Sequence, residues 1–248
     1  MERLELEFPV RSYETGVKNR VSVPTICNYL QETAGEHANR LGFGILELQK
    51  SGVSWMLSRL HIAVFRYVPW GGRLKVLTWP SGIRGRLAAT REFQGFDAEG
   101  VQVLEGTSEW LVVDLAARKI VKPPENFRAV APEGTPRLPI AGTDGGGKFA
   151  SLTKVDAMER IVVRRSDHDF NDHVNNVHYV EWVLEALPPA FADRDLSELD
   201  IVFRQSAHAG DELEVHTEIV GDNVLRHLIV RKGDGANLIS AETKWRDE

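Results

Sequence analysis

One pattern that occurs twice along the chain constrains its fold more than any other feature. Gly71-Gly72-Arg73-Leu74-Lys75-Val76-Leu77-Thr78 returns 139 residues later as Gly210-Asp211-Glu212-Leu213-Glu214-Val215-His216-Thr217. In each copy a turn glycine leads into alternating residues with Leu, Val and Thr in phase, the mark of a strand with one buried face. Leu60-His61-Ile62 matches Leu199-Asp200-Ile201 at the same spacing, and Gly106-x-Ser108-x-Trp110 matches Ala241-x-Thr243-x-Trp245 at 135. Turn-plus-strand patterns recur by chance, but echoes in the same order at nearly one offset imply a duplicated unit of roughly 120 residues.

The segment between the copies differs in kind. Residues 123–156 hold Pro123, Pro124, Pro132, Pro136 and Pro139, then Gly142 and Gly145-Gly146-Gly147. Proline and glycine at this density resist helix and sheet alike, so this is read as a linker between a first domain, 1–122, and a second, 157–248. Gly142-x-x-x-x-Gly147-Lys148 has the outline of a phosphate loop. Phe149 stands where Ser or Thr is needed and no strand precedes it, so it too is read as linker.

Each half offers one helix and a run of strands. Ser22-Val23-Pro24 reads as a helix start, Ile26, Leu30, Ala34, His37 and Leu41 recur at helical spacing, and Gly42 is a stop. Strands are expected at 61–67, 73–80, 87–96 and 101–113. The second half repeats the plan with a short strand at 160–164, a helix at 175–187 halted by Pro188-Pro189, and strands at 201–205, 212–220, 224–231 and 238–245. This is an α+β pattern in which a curved antiparallel sheet covers the helix, and two such sheets can join at their edges.

Composition narrows the function classes. Hydrophobic residues make up 42% and charged residues 27%, as in globular proteins. A formal charge of −6 argues against a nucleic-acid binder. With Cys27 alone, neither a disulfide framework nor a cysteine-based zinc site can form. No apolar run approaches the roughly 20 residues that span a bilayer. Residues 1–7 alternate charged and apolar side chains, unlike a signal or transit peptide. A cytoplasmic location without a membrane partner is the expectation.

The densest polar cluster runs from Ser166 to Tyr179, between a short strand and the second helix. Within it Asp169, Asn171 and His173 are spaced by two, which in an extended stretch aims all three to one side. Carboxylate, amide and imidazole together can activate water and orient a carbonyl. The following helix start offers N–H groups and a positive dipole end to an oxyanion. Such chemistry needs no cofactor. The competing reading makes these residues turn and cap formers, which Asp, Asn and His favour anywhere. His168, His173 and His178 lie five apart rather than at the i, i+4 spacing of two ligands on one helical face, so no metal is expected.

The run Asp169-x-Asn171-x-His173-Val174-Asn175-Asn176-x-x-Tyr179 resembles the active-site signature of acyl-acyl carrier protein thioesterases, and more loosely that of acyl-CoA thioesterases. In the first half Tyr13-Glu14-Thr15-Gly16, Leu30-Gln31-Glu32, His37-Ala38, Gly42-Phe43, Trp55 to Ile62, Pro69-Trp70 and Thr78-Trp79 resemble the N-terminal domain of the same family. The resemblance covers nearly all of the chain outside the linker. It implies two tandem hot-dog domains, each a long helix wrapped by an antiparallel sheet. It implies catalysis in the second domain, with Asp169 as general base or nucleophile, His173 assisting proton transfer and Asn171 orienting water or carbonyl. The acyl chain is implied to lie in the first domain, with Trp55, Met56 and Leu57 as candidate lining.

The partner so implied is acyl carrier protein with its acyl-phosphopantetheine, and the reaction is hydrolysis to a free fatty acid. An acyl-CoA thioesterase or a non-catalytic acyl-binding protein stand as alternatives. Plant members carry an adjacent Glu-Cys pair after the Arg-rich strand; the aligned places here hold Ser206 and Ala207, so a cysteine nucleophile is absent there and Ser206 is a candidate substrate contact. Cys27 reads as a small core residue, and the tryptophans as mostly core. Arg84, Arg86, Arg91, Arg118, Lys119 and Lys122 are candidates for docking an acidic carrier, against the plainer reading of charges on solvated strands. Tandem halves supply the interface that single-domain relatives obtain by dimerising, which allows a monomer as well as a homodimer.

Overall fold

The computed structural model describes residues 2–131, 149 and 151–246. The chain divides into two compact units, Met1–Ala141 and Gly142–Glu248. Most of the expected linker, including the phosphate-loop-like run, lies outside the described residues.

In the first unit α1 (Val23–Arg40) starts where sequence places it. Ser22 Oγ accepts from the Thr25 N–H at 3.3 Å, and Pro24 occupies the first turn. Gly42, at φ +77°, takes the left-handed conformation that stops the helix. The buried stripe of Ile26, Leu30 and Ala34 faces a sheet, each large apolar side chain contributing about 1.5–3 kcal/mol. Strands β1 (Leu4–Pro9), β2 (Val53–Val64), β3 (Arg73–Arg84), β4 (Ala88–Phe96) and β5 (Gln102–Asp114) lie in the order β1-β3-β4-β5-β2. Short β6 (Lys119–Val121) pairs with the end of β5. Two small helices, α2 (Ile45–Lys50) and α3 (Phe127–Val130), complete this unit.

The second unit repeats the order as β8-β11-β10-β9-β7, with β7 (Ala157–Val162), β8 (Asp195–Phe203), β9 (Glu212–Ile219), β10 (Val224–Arg231) and β11 (Asn237–Arg246). Its helix, α4 (Asn176–Glu185), has ten residues against eighteen in α1.

The duplication holds residue by residue. In the first unit Leu4, Thr78, Phe93, Gly106 and Ile62 stand side by side across five strands. In the second the row is Ala157, Thr217, His227, Ala241 and Ile201. The Ser108/Thr243 and Trp110/Trp245 echoes also acquire a cause: each indole Nε1–H donates at 2.8 Å to the hydroxyl two residues earlier. His227, in the place of Phe93, lies between two buried hydroxyls, Thr217 Oγ1 at 2.9 Å and Thr243 Oγ1 at 2.8 Å.

Two expectations need correction. Strand β2 begins at Val53, not at His61, so Trp55, Met56 and Leu57 are strand residues. Arg91, placed among the docking candidates, is buried against His37 and Thr78 and takes no part in a surface. Strand β4 is buried without a break from Ala89 to Phe93, so neither of its faces offers Arg91 a place in solvent.

Candidate active site

The stretch from His168 to Val174 is not extended. It is a closed turn: His168 and Val174 form a bridge, the Asp169 N–H donates to His173 O at 2.7 Å, and Asp172 sits at φ +59°. The Asp169 carboxylate accepts the Asn171 N–H at 2.8 Å and lies 3.4 Å from the His173 N–H. The two-residue spacing therefore brings the backbones of Asn171 and His173 to the carboxylate of Asp169, rather than three side chains to one face of a strand. Asp169 and Asn171 are half-buried and His173 is exposed.

This turn has a counterpart in the first unit, 153 residues earlier, that sequence inspection missed. Arg11 donates its N–H to Glu14 Oε2 at 2.8 Å, as Arg164 does to Asp167 Oδ2 at 2.7 Å. A one-turn 3-10 helix follows in both, Ser12–Glu14 and Arg165–Asp167. The bridge Thr15–Val21 corresponds to His168–Val174, Asn19 at φ +55° to Asp172, and the helix cap Ser22 to Asn175. Only Arg and Val recur identically in this stretch, Arg11/Arg164 and Val21/Val174, which is why the sequence hid it. The places of Asp169, Asn171 and His173 are filled in the first unit by Gly16, Lys18 and Arg20. A turn of this shape therefore closes without carboxylate, amide or imidazole.

At the helix start the expected supply of N–H donors is partly used. Asn175 Oδ1 accepts from Val177 and Asn175 O from His178. The positive dipole end remains beside the turn. His168 Nδ1 lies 2.9 Å from Asp172 Oδ1, and that contact, with smaller contributions from His173 and His208, holds the Asp172 carboxyl below its ordinary range. His208 acts on this carboxyl by charge from 35 residues beyond His173, a distance in sequence that no motif spans. His178 pairs with Glu181 at 2.6 Å, chiefly through a hydrogen bond that raises its pKa. Among the described residues no three His, Cys, Asp or Glu side chains are grouped to hold a metal ion.

Tyr179 ties the helix to the loop that holds Ser206. Its hydroxyl accepts the buried Ala207 N–H at 2.7 Å, and burial pushes its own pKa up to about 12. Ser206 is exposed, with its carbonyl accepting from Arg231 at 3.3 Å. Tyr179→Phe should leave the Ala207 N–H without an acceptor and cost about 1–3 kcal/mol in chemical denaturation; an unchanged midpoint would show that the bond contributes nothing.

The candidate acyl lining is divided. Trp55 and Leu57 share the inner face of β2 while Met56 points the other way, half-exposed. Trp55 donates its indole N–H to Phe43 O at 2.8 Å and meets Phe127 edge-on at 5.6 Å. It belongs to an apolar cluster with Phe43, Leu48, Ala89 and Phe127.

Comparison with known proteins agrees with this architecture. Residues 2–131 match the acyl-ACP thioesterase N-terminal domain and residues 150–247 the C-terminal domain of the same enzymes. A chloroplastic palmitoyl-acyl carrier protein thioesterase of Gossypium hirsutum is 31% identical over 96% of this chain and 62% of its own length. The chain spans about three fifths of the first curated relatives it matches. The structure of the 12:0-ACP thioesterase from Umbellularia californica superposes with a TM-score of 0.86 at 27% identity, covering 99% of this chain and 98% of that one. An acyl-ACP thioesterase structure from Bacteroides thetaiotaomicron, at 22% identity, shares the fold with a TM-score of 0.85 over 98% of each chain. With a hot-dog unit repeated strand for strand and both domain profiles matched in order, the chain belongs to the acyl-ACP thioesterase family.

Proposed function

We propose that the chain hydrolyses the thioester of a fatty acyl-acyl carrier protein, releasing free fatty acid and the carrier thiol. The observation that carries this reading is the contrast between the two helix-leading turns. One backbone shape serves both, yet only the second carries Asp169, Asn171 and His173. In this reading Asp169 draws the proton from an attacking water, His173 relays it toward the leaving thiol, and Asn171 orients the thioester carbonyl. Developing negative charge on that carbonyl oxygen is favoured by the positive end of α4. Trp55 and Leu57 take the acyl chain in the N-terminal unit, and Ser206 contacts the pantetheine arm. The family relatives named above act on carrier-bound acyl groups, which favours that carrier over coenzyme A.

Exposed Arg86, Arg118, Lys119 and Lys122 supply positive charge for an acidic carrier. Cys27, buried in α1, suits a reducing cytoplasm. The test is thiol release from matched acyl-carrier protein and acyl-CoA. The expected result is a higher kcat/KM on the carrier, lowered by charge reversal at Arg118 and Lys119 while acyl-CoA turnover stays constant. Absence of turnover on every thioester would instead favour a non-catalytic acyl-binding protein.

A further inference from the structure

The N-terminal unit buries a cation for which the fold gives no reason. Arg91 lies on the inner face of β4 between Ala89 and Phe93, and among the described residues no carboxylate pairs with it. Its Nη1 donates to His37 Nδ1 at 3.0 Å and to Thr78 Oγ1 at 3.2 Å. Burial lowers its pKa to about 10. An uncompensated interior charge is costly, and an apolar side chain of similar size commonly serves the fold as well. The second unit illustrates this. Arg91 stands opposite Ser108 as Leu225 stands opposite Thr243, so the repeated sheet holds a fully buried leucine at the same place.

His37 extends the anomaly. It is fully buried on α1, and burial, with Arg91 second, pulls its pKa down to about 4, so the ring is neutral at pH 7. Because a guanidinium can only donate, Nδ1 accepts and the ring proton sits on Nε2. That Nε2–H is buried and has no partner among the described residues. Thr78 Oγ1 spends its own proton on Glu92 O at 2.8 Å. What remains among the described residues is one buried donor without an acceptor, the His37 Nε2–H, beside a guanidinium that no carboxylate neutralises. Apolar surface flanks it on both sides: Phe93 in one direction along β4, and Ala89 with the Phe43, Leu48 and Phe127 cluster in the other.

We propose that Arg91 and His37 form a recognition station for an acceptor oxygen on the alkyl chain of the substrate, so that the N-terminal unit prefers oxygenated acyl chains to plain ones. The proposal rests on the reading that this unit receives the acyl chain. A keto oxygen fits the station better than a hydroxyl, since it accepts without bringing a further proton that needs a partner.

The test uses S-alkyl pantetheine thioethers, which cannot be hydrolysed, with a saturated chain that is plain or carries one keto group moved carbon by carbon. Titration of the wild-type chain should show binding about tenfold tighter or more at one keto position than for the plain chain. Arg91→Met and His37→Phe should each remove that gain while binding the plain chain as the wild type does. A wild-type chain that favours no keto position overturns the proposal without recourse to any variant. Parallel loss of plain and keto binding in both variants does the same. The corresponding acyl-carrier protein thioesters, assayed for thiol release, test the proposed hydrolysis separately: a keto preference in binding with no turnover would refute the enzyme reading alone.

Discussion

Asp169→Asn is expected to keep the helix-leading turn intact and to lower turnover of acyl-carrier protein by about two to four orders of magnitude. Asp169 is both the proposed base and an observed turn cap, which makes the amide the informative replacement. Its carboxylate caps the turn by accepting the Asn171 N–H at 2.8 Å, and an asparagine oxygen can accept the same bond. An amide cannot draw a proton from water. Chemistry and architecture are thereby separated in one variant. Asp169→Ala should lose both, adding about 1 kcal/mol of instability to the same kinetic defect. Steady-state thiol release and a denaturation midpoint on each variant decide the matter. Wild-type turnover by the asparagine variant would remove Asp169 from the mechanism, whether as base or as nucleophile.

The second large effect is loss of stability in acid. His227 and His37 are buried, and burial is the leading cause that lowers their pKa values from 6.5 to about 3 and about 4. Below pH 6.5 the unfolded chain binds protons at these rings and the folded chain does not. Their contribution is therefore fully present above pH 6.5 and is lost as pH falls toward 4 and then 3. Each ring contributes a slope of about 1.4 kcal/mol per pH unit, so together they give about 2.8 kcal/mol per pH unit across the upper part of that window. Denaturant unfolding at a series of pH values measures the slope directly. His227→Phe, which installs the residue that the first unit uses, should make the acid limb shallower by about half. The same variant should be less stable by about 1–2 kcal/mol at neutral pH, because Thr217 and Thr243 lose their partner. An acid limb of unchanged slope would show that His227 does not remain neutral in the folded chain.

Much of the architecture was legible because it depends on local rules and on repetition. The Leu-Val-Thr phase after Gly71 and Gly210 identified β3 and β9, and the register confirms that Thr78 and Thr217 occupy one position of the repeated sheet. Ser22, Pro24 and Gly42 bounded α1 because capping and left-handed stops are short-range chemistry. The second match, at 153 residues, was not legible. Its turn is held by backbone hydrogen bonds that Gly16, Lys18 and Arg20 satisfy as well as Asp169, Asn171 and His173 do. The offset then falls from 153 to 139 chiefly because α4 is eight residues shorter than α1, and the 3-10 turn Pro189–Phe191 that follows it is shorter than α2. The start of β2 was missed for a different reason: Trp55 and Leu57 alternate with Met56 and Ser58, but the bulge between Leu57 and Arg59 breaks the two-residue period.

By itself the sequence determined the duplication, the α+β plan, the family and the segment that holds the candidate chemistry, since each is written in spacing and residue type over short distances. Only the tertiary structure decided that this segment closes into a turn, that Tyr179 ties it to the Ser206 loop, and that Arg91 points inward to His37. Those outcomes depend on which side of a strand or helix meets another element far away in sequence. A lone arginine in an alternating strand looks the same in sequence whether it faces water or the core.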